Sequence, residues 1–379
     1  MERKQYPSSI LSYVKKESHT FQEKPFGFLD GFVYAICSYF LFEKSAAYHN
    51  DKPLSFKQTI GALEGDALAN LFWFNDIAPL FRDALLESPR YKESSVSYAE
   101  AMLDTQEYGQ FAACCIHVPD GSLFLSFRGT DDTITGWEEN FTMSVLDKTI
   151  GQEQARNFTL RMFDTYCRTN PYSALRLGGH SKGGNLAFYA ALTEGSTLGD
   201  SLIRAYSFDG PGFTQSFLDR YASKDITIRL TKITPSYSFF GSFFNDAVVP
   251  RGITSNEWGL MEHMPFSWII KDNDFEWAMS SSPLTSITDK TFTRWLDALS
   301  LDDRITFLSI LFGTVEYAAS TNHIGDLPRA LIKKAPAITH AFQTFDEPFR
   351  KNLTKVLSAL ISGFAESTQE VITERAQLP

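Results

Sequence analysis

Leu175-Arg176-Leu177-Gly178-Gly179-His180-Ser181-Lys182-Gly183-Gly184-Asn185-Leu186 carries the pattern Gly-x-Ser-x-Gly. It stands between an apolar strand-like run and a helix-like run that continues to Leu192. A serine lifted out of a strand-to-helix turn needs small neighbours on both sides, because the backbone folds back on itself there. The helix that follows points its free N–H groups at the oxygen under attack. The same five residues also occur as a glycine-rich turn in nucleotide-binding or structural α/β units. Here the strand before, the helix after and two further glycines favour a nucleophile at Ser181.

Working outward, Gln110 to Val118 is a β-rich run, Pro119-Asp120-Gly121-Ser122 a turn, and Leu123 to Phe127 a second run, which together predict a hairpin. Helices are expected at Gly136 to Leu146 and Glu153 to Thr169, and strands at Leu202 to Phe208 and Ile226 to Ile233. Strands alternating with helices predict an α/β architecture, a mostly parallel, doubly wound sheet. Upstream, residues 1–19 read as a polar leader with a short helix around Ile10 to Lys16. Leu29 to Phe42, Phe56 to Ala69 and Phe72 to Leu86 read as helices, and Tyr98 to Gln106 as a stretch packed beside the sheet. From about residue 286 the pattern is helical alone. Ser300-Leu301-Asp302-Asp303 opens one helix, and Phe349, Leu353, Val356, Leu357, Leu360, Ile361 and Phe364 share a face of another. The expected division is therefore a leader (1–19), a hydrolase domain (20–285) and a helical cap or tail (286–379).

The bulk numbers narrow the function classes. A net charge of −10, with no dense Lys/Arg block, argues against nucleic-acid partners, whose backbone demands a positive footprint. Cys37, Cys114, Cys115 and Cys167 show neither metal-ligand nor disulfide-frame spacing, so no metal is expected and a reduced, cytoplasmic setting is. The start of the chain lacks a signal-peptide core, and the longest apolar run, Phe28 to Phe42, is interrupted by Asp30 and Gly31 and too short to span a bilayer. Thirty-three phenylalanines suit a tightly packed core, with an apolar acyl pocket as the other use.

A serine nucleophile needs a base, an acid to orient it and donors for the oxyanion. In this architecture the order is Ser, Asp/Glu, His. His263, in Glu262-His263-Met264-Pro265-Phe266-Ser267-Trp268, sits in a proline-bounded loop before an apolar run and is the expected base; His323 and His340 fall in the helical tail. Asp209 ends the strand Arg204 to Phe208 just before Gly210-Pro211-Gly212, at the sheet edge where catalytic groups gather, and is the expected acid. Asp246 is the alternative. The oxyanion donors are expected from the backbone N–H of Lys182 and from Thr130, after Phe127-Arg128-Gly129, with Arg128 tying that loop down.

Phe127-Arg128-Gly129-Thr130, Trp137-Glu138-Glu139-Asn140 and Gly179-His180-Ser181-Lys182-Gly183-Gly184 together resemble the class 3 lipase group of α/β-hydrolases. The elbow extended to Asn185, the run Asp209-Gly210-Pro211-Gly212-Phe213 and the segment His263 to Trp268 resemble its bacterial Mbeg-like branch, as does the leader Phe21 to Phe26 with Asp30. The resemblance spans roughly residues 8–275. It implies the hydrolase fold, serine-ester chemistry and the roles of Ser181, His263, Thr130 and Lys182. The sequence departs from well-studied lipases after Ile233, where they carry Asp-x-Val-Pro and this chain reads Thr234-Pro235-Ser236-Tyr237-Ser238, a further reason to place the acid at Asp209.

The resulting expectation is a cytoplasmic serine hydrolase that cleaves a small-molecule carboxylic ester with an apolar acyl group, through an acyl-enzyme and without a cofactor. Tyr237 to Phe244 reads either as a lid or acyl wall or as a buried core segment. A thioesterase or acyltransferase with the same triad, and a hydrolase-fold binding protein without turnover, are the alternatives. No pattern points to an oligomeric state.

Overall fold

The computed structural model describes residues 7–278, apart from 70, 72, 105–108, 131–147, 169–172, 237, 239–240, 242–243 and 258, and six single residues further on. The helix expected at Gly136 to Leu146, Trp137 to Asn140, His323, His340 and nearly all of the 286–379 tail lie outside the described residues.

Among the described residues eight strands form one sheet in chain order: β1 (Leu54–Ser55), β2 (Ser95–Asp104), β3 (Gly109–His117), β4 (Leu123–Phe127), β5 (Leu175–His180), β6 (Leu202–Phe208), β7 (Leu230–Pro235) and β8 (Arg251–Ile253). β1 to β4 run antiparallel, and β4 to β8 are parallel throughout. The expected hairpin is present, closed by Val118 and Ser122 with Gly121 at φ 85°. The last parallel strands need crossovers, and two helices supply the first pair: α4 (Ile150–Met162) and α5 (Lys182–Leu198). They pack on each other and on β3 to β6. Thr149 caps α4 in a capping box with Gln152.

The opposite face is filled by α1 (Ile10–Lys16), α2 (Phe28–Cys37) and α3 (Ala78–Glu87). Helices thus cover both faces of a sheet whose central strands are buried along most of their length, as the apolar run of β3 requires. This is the α/β-hydrolase fold. The helix inside the polar leader contributes Ile10, Leu11, Tyr13 and Val14 to the core, so residues from Ser8 onward pack with the domain. Asp30 anchors this side. It caps α2 through the Gly27 N–H at 2.7 Å and receives Arg90 at 2.6 and 2.8 Å, while Arg90 also binds the carbonyls of His19, Thr20, Lys24 and Pro25.

Several boundaries differ from the sequence pattern. Ser95–Asp104 is a strand of the sheet and not a neighbour of it. A bulge between Ser97 and Glu100, with Tyr98 at φ 48°, breaks the alternation that would reveal it. Phe56 to Ala69 is turns and two short 3₁₀ segments, since Gly65 takes φ 52° and interrupts the helical period. The helix expected to Phe42 ends at Cys37, the one expected from Phe72 starts at Ala78 with Pro79 in its first turn, and the strand expected from Ile226 starts at Leu230 after the helical turn Lys224–Thr227. The four cysteines are buried and unbonded, and among the described residues no helix is long and apolar enough to cross a membrane.

Candidate active site

Ser181 follows β5 with φ 58° and ψ −133°, a conformation that costs an L-residue of order 1–3 kcal/mol and persists only where the surroundings enforce it. Its N–H donates to the Phe208 carbonyl at 2.9 Å and its carbonyl accepts from Gly184 at 2.8 Å, so the turn is held between β6 and the first turn of α5. Close approach explains the flanking glycines. A methyl on Gly183 would enter the Phe127 carbonyl, and one on Gly129 would sit 2.7 Å from the His180 carbonyl and 3.2 Å from Ser181 Cβ. The exit of β4, and with it Thr130, therefore lies against the elbow. Arg128 ties that exit down by donating to the carbonyls of Ser38 (2.7 Å) and Phe40 (2.9 Å) and to both oxygens of Glu43.

One strand over, Asp209 repeats the motif of a non-glycine residue at positive φ (55°), its N–H donating to Ile233 at 2.8 Å. Its fully buried carboxylate accepts from His263 Nδ1 at 2.6 Å and from the Thr234 hydroxyl. Burial pushes this carboxyl up, but the bonds from His263, Ser238 and Thr234 outweigh that and hold it below the usual carboxylate range. A carboxylate accepts only, so Nδ1 carries the hydrogen in this pair. The loop bearing His263 is fixed by Trp268 Nε1 on the Glu262 carbonyl (2.8 Å), by Ser267 on Met264 (2.7 Å) and by Trp268 stacked on Phe32 at 4.5 Å.

A family model described as Mbeg1-like matches residues 85–313, more than half of the sequence. The chain belongs to the Mbeg1-like family. Solved structures similar to it include M37 lipase (15% identity, 56% of this chain and 69% of that one, TM-score 0.37), an MDLA mutant from Penicillium cyclopium (16%, 65% and 82%, 0.39) and a fungal lipase (16%, 63% and 82%, 0.37). No curated protein matches the chain.

In this Mbeg1-like chain the motif residues divide into two groups. Ser181 and Asp209 stand at the carboxyl ends of neighbouring strands β5 and β6, with His263 bonded to Asp209, whereas Asn185 binds the carbonyls of Pro211 and Gly212 (3.2 and 2.9 Å) and receives Gln152 Nε2 at 2.8 Å, locking the Asp209 turn to the elbow helix. Asp246, the alternative acid, has a different partner. It is paired with the buried ammonium of Lys232, which also donates to the Gly241 carbonyl at 2.6 Å. Beyond its backbone N–H, Lys182 sends its side chain away from Ser181 to Gln110, at 2.8 Å from the carbonyl and 2.7 Å from Oε1. Of the segment Tyr237 to Phe244 only Ser238, Gly241 and Phe244 are described, and all three are buried. Sequence reasoning passed over His180 although it lies inside the elbow motif, and Tyr39, which carries no local signal. No group of metal-binding side chains occurs among the described residues.

His180 is fully buried, and desolvation, reinforced by the neighbouring His263, lowers its pKa from 6.5 to about 3. The folded chain therefore refuses a proton that the unfolded chain accepts. The stability this group contributes is complete above about pH 6.5 and drains away as pH falls toward 3, by up to about 1.4 kcal/mol per pH unit. Denaturant titrations of wild type and His180→Gln across that window should differ in slope by about one proton, with the variant flatter. Equal slopes would rule out His180 as the titrating group.

Proposed function

We propose that this chain is a serine hydrolase acting on carboxylic esters. One observation carries the reading: a serine held at an elbow conformation on the strand end next to a buried, hydrogen-bonded Asp209–His263 pair. In this reading His263 Nε2 removes the Ser181 proton as the hydroxyl attacks the ester carbonyl, then delivers it to the departing alcohol. Asp209 fixes the imidazole tautomer and stabilises the imidazolium. The N–H groups of Lys182 and Thr130 receive the oxyanion, and water releases the acid from the acyl-enzyme.

The acyl group is proposed to be apolar. The support is the lipase-type motif set and the segment Tyr237 to Phe244, since the described phenylalanines, Phe32, Phe40, Phe124 and Phe208 among them, are committed to the core. Each methylene buried is worth about 0.8 kcal/mol, so two added carbons should raise kcat/KM roughly tenfold until the groove is full. Two measurements test this: labelling by a fluorophosphonate probe, and kcat/KM on p-nitrophenyl esters of increasing length. Labelling mapped to Ser181 and faster turnover of medium chains than of acetate are expected. A folded, unlabelled protein would point to a binding role, and acetate as the best substrate to small-ester or thioester chemistry.

A further inference from the structure

Beside the elbow lies a buried polar pair that the proposed reaction itself does not use, Tyr39–His180. His180 Nε2 lies 2.8 Å from the carbonyl oxygen of His263, and Nδ1 lies 2.8 Å from the Tyr39 hydroxyl. A carbonyl can only accept, so Nε2 carries the hydrogen, and Nδ1 of the neutral ring must accept from Tyr39. With the Tyr39 proton committed to Nδ1, the phenol oxygen is free to accept, and it receives the backbone N–H of Gly129. The result is a chain of hydrogen bonds with one direction, from Gly129 N–H through Tyr39 and His180 to the His263 carbonyl.

Each end of this chain touches a part of the machinery that must be held in register. Gly129 immediately precedes Thr130, and its Cα faces Ser181 Cβ. His263 bears the imidazole paired with Asp209, and its ring lies against that of His180, tilted by 38° with centroids 4.5 Å apart. Tyr39 is itself fixed, edge-on to Trp73 at 4.7 Å and just beyond the carboxyl end of α2. We propose that Tyr39 and His180 are positioning residues, a clamp that locks the His263 backbone to the strand end bearing the oxyanion donor. The clamp rests on the reading of Ser181 and His263 as nucleophile and base. Its bonds are made by atoms that never meet substrate, so it acts on turnover through the placement of other groups and leaves ground-state binding alone. Burial keeps the His180 ring neutral, which preserves the tautomer the chain requires.

The test uses the full-length chain with Tyr39→Phe, His180→Gln and His180→Leu. Glutamine puts its amide nitrogen where Nε2 stood and can still donate to His263; leucine cannot. On a medium-chain p-nitrophenyl ester, Tyr39→Phe is expected to lower kcat about tenfold and His180→Leu about a hundredfold, each with KM within about twofold, and His180→Gln to recover most of the loss. The far-downfield proton resonance of the His263 Nδ1–H···Asp209 bond gives a readout independent of turnover. It should be sharp in wild type and His180→Gln, and broadened in Tyr39→Phe and His180→Leu. Tyr39→Phe adds no volume, so it carries the test should the leucine variant fail to fold. Unchanged kcat and an intact resonance in Tyr39→Phe would overturn the clamp, as would equal losses in the glutamine and leucine variants. If Ser181→Ala kept its turnover, the nucleophile assignment would fail instead, and the resonance would still decide whether the clamp holds His263.

Discussion

Ser181→Ala is expected to fold as the parent does and to lose ester turnover by about a thousandfold or more. The fold should survive because the bonds that hold the elbow are backbone bonds, from Ser181 N–H to Phe208 and from Gly184 to the Ser181 carbonyl, and alanine makes both. It also keeps the Cβ that the site already accommodates. Only the side-chain oxygen goes. The residual rate would report what the oxyanion donors and substrate binding achieve alone. Thermal melting beside kcat/KM checks both halves of the expectation. A variant that retained more than about a tenth of wild-type activity would remove Ser181 from the mechanism.

The second large effect separates two aspartates. Asp209→Asn should reduce kcat by about 10⁴-fold, because an amide facing Nδ1 favours the wrong imidazole tautomer. Asp246→Asn should leave turnover within about tenfold of wild type and instead cost stability. It leaves the buried Lys232 ammonium without its counter-charge, and breaking such a pair by removing one partner costs about 3–5 kcal/mol. The two variants are thus expected to fail in different assays, one in kinetics and one in denaturant titration. An Asp246→Asn protein that is stable but inactive, beside an active Asp209→Asn protein, would reverse the assignment.

The parts of the site legible in the sequence are those whose geometry is local. The elbow is a contiguous pattern because the backbone reversal at Ser181 demands small residues at fixed offsets. Asp209 can be read because a strand that ends in Asp-Gly-Pro-Gly leaves its last acidic residue at the carboxyl edge, where it does meet His263. Tyr39 is illegible for the opposite reason. It lies 141 residues before His180, and nothing in the run Ser38-Tyr39-Phe40 distinguishes a hydroxyl aimed at an imidazole from one more aromatic in the core. Lys232 is hidden in the same way, as a charged residue inside a buried strand whose partner arrives from a later loop. The missed strand Ser95–Asp104 and the over-long helix at Phe56 to Ala69 are failures of periodicity. A bulge shifts the alternation of the first, and a left-handed glycine breaks the turn of the second.

The placement of α2 bears on how the chain reaches this structure. Phe28–Cys37 packs mainly on β5, with β4 and β6 beside it, and all but its first residue are buried. Those strands emerge from the ribosome roughly 90 to 170 residues after the helix they cover, so a nascent chain that stops short of β5 carries an apolar helix without the strand it packs on most. The order of synthesis therefore runs opposite to the order of burial on this face. Contacts of such wide sequence separation close late, because the loop entropy must be surrendered before they form. The face carrying α4 and α5 is assembled from neighbours in the chain and escapes this delay.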